Sequence, residues 1–213
     1  MNENAPHGAE KLYEVWDEHW SEEQKLTFVG RIFVPIRMRA LQDAIDFLQH
    51  QKGIKSALDT GCGWGHLLGL FHAAKLDYMG IDVSLHSIAA CKRKGFNAKV
   101  CKVEEETRQY DLVASEGMLE HFLDFEPFAR HLMRLSTRYV LIMQPNHDTF
   151  LGRLLFSVTY LVRGDKIVWE YNYRMRDFID CFDRHGFSVI RNQPLIMDTS
   201  RLLLFERRAG TQD

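Results

Sequence analysis

Runs of basic residues, closely spaced cysteines and long apolar segments are all missing from this 213-residue sequence. Its 27 lysines and arginines stand against 29 acidic residues, so it lacks the positive footprint that nucleic-acid binding usually leaves. The four cysteines form no C-x-x-C pair, and we expect reduced thiols in a cytoplasmic protein. The longest apolar run, over residues 150–162, is too short and interrupted to cross a bilayer, and the polar N-terminus is unlike a signal peptide.

Two kinds of site are missing as well. No H-E-x-x-H motif or zinc-type spacing of cysteine and histidine occurs, which predicts a protein without a metal centre. The G-x-G-x-x-G fingerprint of dinucleotide-binding folds is incomplete, because His66 stands where its third glycine belongs. No Tyr-x-x-x-Lys pair is present either. These two absences argue against a nicotinamide oxidoreductase.

The most informative stretch is residues 56–68, SALDTGCGWGHLL. It begins as a short apolar strand, breaks into three glycines at alternate positions, and continues with apolar residues at helical spacing. Glycine admits a positive φ and lets a ligand approach without a Cβ in the way. The free N–H groups at the start of the helix then face that ligand. The stretch therefore predicts a strand, a ligand-binding turn and a helix.

Two acidic residues flank this glycine turn. Asp59 precedes the first glycine by two positions, and Asp82 ends a second strand-like run, residues 78–82. Rossmann-type folds hold a ribose with an acid placed about 20 residues beyond the glycines. Asp82 is therefore expected to accept hydrogen bonds from ribose hydroxyls.

With these acids in place, residues 58–65 (LDTGCGWG) resemble the nucleotide-binding motif of class I S-adenosylmethionine (SAM) dependent methyltransferases. Residues 110–113 (YDLV), residues 119–121 (LEH) and the helix before Gly186-Phe187 are similar to the type-11-like small-molecule branch of that family. The resemblance implies methyl transfer from SAM, with S-adenosylhomocysteine as the product, to a small-molecule or lipid-like acceptor.

Strand-like and helical patterns alternate along the chain. A proline at position 35 predicts a break or kink, with a clean helix from Ile36 to Gln51. We expect an α/β, Rossmann-like, doubly wound sheet of seven strands, mostly parallel, with the last strand antiparallel. Residues 1–36 are predicted to form an N-terminal helical cap segment, and residues 37–213 the SAM-binding domain.

The resemblance also implies which residues contact the cofactor. The glycine turn would admit the methionine part of SAM, Asp59 would lie near its amino group, and Asp82 would hold the ribose. Many relatives carry an aspartate after the third strand, but this chain has Lys102 there, so the backbone of Val103 or the side chain of Glu104 are alternative adenine contacts. The full predicted set is Asp59, Gly61, Cys62, Gly63, Gly65, Asp82, Val83, Val103, Glu104 and Ser115.

Two histidines are the candidate catalytic residues. His121 and His147 follow predicted strands at their carboxyl ends, where ligands bind in open α/β sheets. If the acceptor is a hydroxyl or an amine, a base must take its proton. A structural role stays open for each histidine, behind the cofactor for His121 and in a solvated loop for His147.

The acceptor pocket is expected to be mostly apolar. Tyr13, Trp16 and Trp20 fall on one helical face and either pack that helix onto the domain or line a substrate cap. Residues 150–162 are apolar nearly all round, which is typical of a lid, a dimer contact or a membrane-surface helix. The predicted walls are Trp16, Trp20, Phe150 and Leu154, with His147 or His121 as the polar group.

Two other functions stay open at this stage. A non-catalytic SAM-binding protein could retain the same motif, because a fold does not fix a function. A NAD-dependent oxidoreductase is the other alternative, since Asp82 suits a ribose in either cofactor.

Overall fold

The computed structural model describes residues 13, 15–18, 28–154, 157 and 170–210, and its centre is a seven-stranded sheet. The helices are α1 (Phe28–Lys52), α2 (His66–Ala73), α3 (Leu85–Arg93), α4 (Glu126–Leu135) and α5 (Met175–Arg184), with a 3-10 turn at Leu119–His121. The strands are β1 (Ser56–Thr60), β2 (Asp77–Asp82), β3 (Ala98–Val100), β4 (Tyr110–Glu116), β5 (Ser136–Pro145), β6 (Phe187–Leu195) and β7 (Ser200–Arg207).

The strands lie in the order β3-β2-β1-β4-β5-β7-β6. All neighbours are parallel except β7, which runs antiparallel to both β5 and β6. This confirms the predicted mostly parallel sheet with an antiparallel last strand. The strand order reverses between β1 and β4, so a crevice opens at their carboxyl ends, which is where ligands bind in such sheets.

Side chains alternate between the two faces along each central strand, so each face has a core of its own. Leu112 and Leu141 belong to the core under α1, α2 and α3, whereas Val113 and Ile142 belong to the core under α4 and α5. Both faces are therefore covered by helices, as a doubly wound fold requires.

The helix α1 contains Pro35 instead of beginning after it, so the predicted start at Ile36 was wrong. A proline removes one N–H hydrogen bond from a helix, and Pro35 lies at an exposed position, where solvent can compensate for that loss. Leu41, Ile45 and Leu48 are fully buried and hold the rest of the helix on the sheet. The division of the chain after residue 36 falls inside α1 and stays a prediction.

Two other elements differ from expectation or reach beyond the described residues. The sequence pattern of the third strand extends over residues 97–103 and predicts a strand of that length. The strand ends at Val100, because residues 103–105 form a turn in which the Glu105 N–H donates to the Lys102 carbonyl over 3.0 Å. Residues 150–154 and 157 are helical, and the other residues of the predicted 150–162 helix lie outside the described ranges. No helix within those ranges is both long and apolar enough to cross a membrane.

Candidate active site

The glycine turn lies where β1 ends. Gly61, Gly63 and Gly65 have φ angles of 70°, 47° and 75°, which residues with a Cβ adopt only with strain. The N–H groups of Gly61 and Cys62 donate to the Ile81 carbonyl over 2.9 and 3.0 Å, which fixes the turn to the end of β2. A Cβ on Gly65 would lie 2.9 Å from the sulfur of Cys91, so packing also demands glycine there.

Asp82 is tied to this turn by backbone hydrogen bonds. Its Oδ2 accepts from the Gly63 N–H and its Oδ1 from the Ser84 N–H, both over 2.9 Å. Burial raises the pKa of Asp82, and the backbone donors act against that increase. Each oxygen keeps acceptor capacity beyond these bonds, so the carboxylate can receive a ligand's hydroxyl groups.

Asp59 is more completely buried, with 2% of its surface exposed. Its Oδ1 has no hydrogen-bond partner among the described residues. Burial, followed by the charge of Glu116, raises the pKa of Asp59 well above its usual range. A buried carboxylate oxygen without a partner is costly in a folded protein, and a cationic ligand group would satisfy it.

These acids lie in one cleft with two halves that share Gly61 and Glu116. The halves enclose about 630 and about 690 Å³, counted with their open mouths. The first is further lined by Tyr13, Trp16, Ile81, Asp82, Val83, Cys101, Val103, Gly117, Met118 and Phe122. The second is further lined by Val34, Arg37, Met38, Asp59, Cys62, Gly63, Trp64, His66 and Leu67. The first half has a mostly apolar lining that suits a base, and the second half has a more polar lining that suits an amino acid.

Three predicted cofactor residues are not in the lining of either half. Glu104 is exposed and accepts a hydrogen bond from the Tyr13 hydroxyl over 3.2 Å. Gly65 is the N-cap residue of α2 behind the turn. Ser115 is buried near the end of β4, and its hydroxyl has no partner among the described residues. Their contacts to a cofactor stay predictions.

The described N-terminal residues lie over the first half of the cleft. Tyr13 and Trp16 line it together with Asp82, and Asp17 accepts a 2.8 Å hydrogen bond from the Ser84 hydroxyl at the start of α3. These residues therefore cover the half of the cleft that contains Asp82. Sequence reasoning instead associates the N-terminal aromatic residues with the acceptor. Trp20 lies outside the described residues.

The two candidate histidines are both buried, with 7% exposure each, and neither lines the cleft. His121 ends the 3-10 turn after β4, and its ring meets that of Trp16 edge-on with 4.8 Å between centroids. His147 lies in the turn after β5, where burial lowers its pKa. His121 therefore does not line the cleft itself, but it contacts Trp16, which does.

Two buried glutamates accompany His121. Burial raises the pKa of Glu120 to about 8, and burial together with the charge of Glu120 raises the pKa of Glu170 to about 7. The Nε2 of His121 is 4.0 Å from Oε1 of Glu120. Sequence reasoning included Glu120 in the LEH motif of residues 119–121 but did not find Glu170.

Sequence reasoning also missed Arg37, which donates to Oε1 of Glu116 across the second half of the cleft. A signal was available in α1. Arg37 lies one turn before Leu41 and so continues the apolar stripe that packs on the sheet, where a charged residue needs a buried partner. Its partner could not be read from the sequence, because the two residues are 79 positions apart.

The fold and the site together define a nucleotide-cofactor-binding protein of the Rossmann-like α/β class, with its cleft at the switch point of the sheet. The model of a family described as a methyltransferase domain matches residues 33–192, and the chain belongs to that family. It is a class I SAM-dependent methyltransferase, and this assignment replaces the oxidoreductase and non-catalytic alternatives.

Solved structures share this fold. The magnesium protoporphyrin IX methyltransferase of Synechocystis PCC 6803 with bound S-adenosylhomocysteine is 19% identical, with 92% of this chain and 94% of that chain covered and a TM-score of 0.71. A SAM-dependent methyltransferase from Mesorhizobium loti is 16% identical, with 79% and 96% covered and a TM-score of 0.62. The mitomycin 7-O-methyltransferase MmcR is 18% identical, with 82% and 54% covered and a TM-score of 0.59. A sequence search of curated proteins gave no match.

Proposed function

We propose that this methyltransferase acts on a small, mostly apolar acceptor, aromatic or lipid-like, that carries one polar group to be methylated. The observation that carries the proposal is the apolar lining that the acceptor would share with the base of the cofactor. Met118 and Phe122 follow β4 and line the first half of the cleft, and Phe122 stacks on Phe128 with 3.4 Å between ring centroids. Such a surface favours aromatic or aliphatic groups over highly charged ones.

Exposed apolar side chains at the same edge of the sheet support this acceptor class. Phe150 is 75% exposed and Leu154 is 45% exposed, in the helical residues that follow β5. Exposed apolar residues at the ligand-binding edge of a sheet are typical of a ligand or partner surface. Two of the similar structures, those of magnesium protoporphyrin IX methyltransferase and mitomycin 7-O-methyltransferase, are named for small-molecule acceptors.

The residues of the cleft have different roles in methyl transfer. SAM, when bound, supplies an electrophilic methyl group on a sulfonium whose leaving group is neutral. Asp59 and Asp82 hold and orient the cofactor through its amino and ribose groups. Tyr13 and Trp16 cover the cleft and exclude water from it.

Proton removal from the acceptor is assigned to His121 or His147, as the sequence predicted. Burial lowers the pKa of His147 and so favours the neutral ring, which is the form that accepts a proton. A cytoplasmic location is part of the proposal, and the four free thiols support a reducing compartment.

An acceptor screen tests this function. Purified protein would be incubated with methyl-labelled SAM and separate pools of phenolic, tetrapyrrole carboxylate and long-chain fatty acid acceptors, with nucleosides, RNA and protein as polar pools. We expect label in an organic-extractable product. Label found only in RNA or protein would refute the apolar small-molecule class.

Surface variants then locate the acceptor. Phe150→Ser and Leu154→Ser remove exposed apolar groups, so we expect the acceptor KM to rise by about tenfold, roughly 1.4 kcal/mol, with the SAM Kd unchanged. Val189→Ser, which removes a similarly exposed apolar group near the start of β6, is the control and should change neither value. An unchanged acceptor KM in the first two variants would exclude this surface from acceptor binding.

A further inference from the structure

Three side chains beside the cleft present metal-ligand atoms to one another. A carboxylate oxygen of Glu120, a ring nitrogen of His121 and a carboxylate oxygen of Glu170 all lie within 4.8 Å of one another. Glu120 and His121 come from the 3-10 turn after β4, and Glu170 from the segment before α5. The Tyr171 N–H donates to the Glu120 carbonyl over 2.7 Å, which holds the two segments together.

The described residues leave part of this cluster without a hydrogen-bond partner. Glu120 is 4% exposed, and its Oε2 has no hydrogen-bond partner among the described residues. Neither Glu120 nor Glu170 forms an ion pair with a lysine or arginine in that part of the chain, since Arg37 pairs with Glu116 instead. A buried carboxylate oxygen with no donor is the feature that a bound cation explains.

We propose that Glu120, His121 and Glu170 bind a divalent cation of the Mn²⁺ or Zn²⁺ type. Carboxylate oxygens with one imidazole nitrogen suit such borderline cations, and three protein ligands leave coordination positions open. The sequence predicted no metal, because that expectation used ligands at short spacing, whereas Glu170 lies far along the chain from the other two.

The cation site itself does not depend on the proposed function. The role of the cation in acceptor binding does rest on it. His121 contacts Trp16, which lines the cleft, so an open coordination position lies near the acceptor. The cation would bind an oxygen of a hydroxyl or carboxyl acceptor and favour its deprotonated form, with the proton passing to solvent water. His121 as a ligand is then not the base, which leaves that role to His147 or to no protein group.

Manganese binding tests the site without any acceptor. The full-length protein would be freed of metal with a chelator and titrated with MnCl₂, and the electron paramagnetic resonance signal of free Mn²⁺ gives the bound fraction. We expect one Mn²⁺ per chain, competed by Zn²⁺. Glu120→Gln and Glu170→Gln should each weaken binding by about tenfold or more.

Glu126→Gln is the matched control. Glu126, Cys181 and His185 form the other candidate ligand group of the described residues, and Glu126 already pairs with Arg184 and His185. We expect this variant to bind Mn²⁺ like the wild type. Absence of Mn²⁺ binding in the wild type, or equal binding in Glu120→Gln and Glu170→Gln, would overturn the site.

Two further readouts separate the outcomes. Thermal melts show whether Glu120→Gln folds, and Glu170→Gln, whose side chain is less buried, tests the site if it does not. Calorimetry with SAM tests the proposed function independently. Mn²⁺ binding with normal SAM binding but turnover that resists chelation would keep the site and reject its role with the acceptor.

Discussion

At the scale of single residues, Asp59 and Asp82 have different hydrogen-bond partners. Asp82 has backbone donors on both carboxylate oxygens, whereas Asp59 has an oxygen with no partner among the described residues. Asp82 is therefore held in place before a ligand arrives. Asp59 is a buried carboxyl group whose ionised form a ligand's ammonium group would stabilise.

Asp59 gives a pH prediction with a defined sign. Its pKa is raised in the folded, ligand-free protein, so the protonated form is the more stable one there, and its contribution to stability is lost as the pH rises through that pKa. The SAM ammonium favours the ionised form. We therefore expect SAM affinity to rise as the pH rises through the raised pKa of Asp59, while the ligand-free protein becomes less stable.

Calorimetry and thermal melts of wild type and Asp59→Asn measure both effects. The variant should bind SAM more weakly, by about 1–3 kcal/mol, with a flatter pH profile. The same pH profile for SAM binding in both proteins would show that Asp59 does not meet the cofactor's amino group.

At the scale of elements, β2 must pass close beneath the glycine turn and α2. A Cβ on Gly80 would lie 2.6 Å from Cδ1 of Leu68 and 3.0 Å from the sulfur of Cys62. Both neighbours are buried, so neither can move freely. The glycine in the middle of β2 therefore sets the distance between the strand and the cofactor turn.

Gly80→Ala should destabilise the protein by about 1–3 kcal/mol and weaken SAM binding, because Cys62 is displaced from the turn. Gly69→Ala is the control, since a Cβ there meets only Phe96 at an ordinary 3.6 Å and alanine favours the α2 helix. Chemical denaturation and calorimetry compare the two. Equal stability of both variants would contradict the tight packing beneath the turn.

At the scale of the whole molecule, the N-terminal residues act on the cofactor half of the cleft. Tyr13 and Trp16 line it, whereas among the described residues the buried members of the two cores on the sheet begin at Ala40. The N-terminal segment is therefore expected to matter more for binding than for folding.

Deletion of residues 1–20 should raise the SAM Kd by about tenfold, roughly 1.4 kcal/mol, and reduce turnover, with a small effect on the melting temperature. Tyr13→Phe, which removes only the hydroxyl that bonds to Glu104, is the control and should bind SAM normally. An unchanged SAM Kd after the deletion would place the segment over the acceptor alone, and a large loss of stability would make it part of the core.

The sequence by itself determined the sheet class and the cofactor turn. Strand and helix periods are local, and so is the need for glycine where φ is positive, so residues 61–65 and their flanking acids could be recognised without the rest of the chain. The antiparallel last strand followed from the short connection before it.

Only the tertiary structure decided what surrounds that turn. The pairing of Arg37 with Glu116, the position of Trp16 over the cleft, and the approach of Glu170 to His121 all join distant parts of the chain. The continuation of α1 through Pro35 depends likewise on burial of the helix against the sheet. Such contacts follow from how the crossovers pack, and no local period or spacing encodes which distant side chain will meet which.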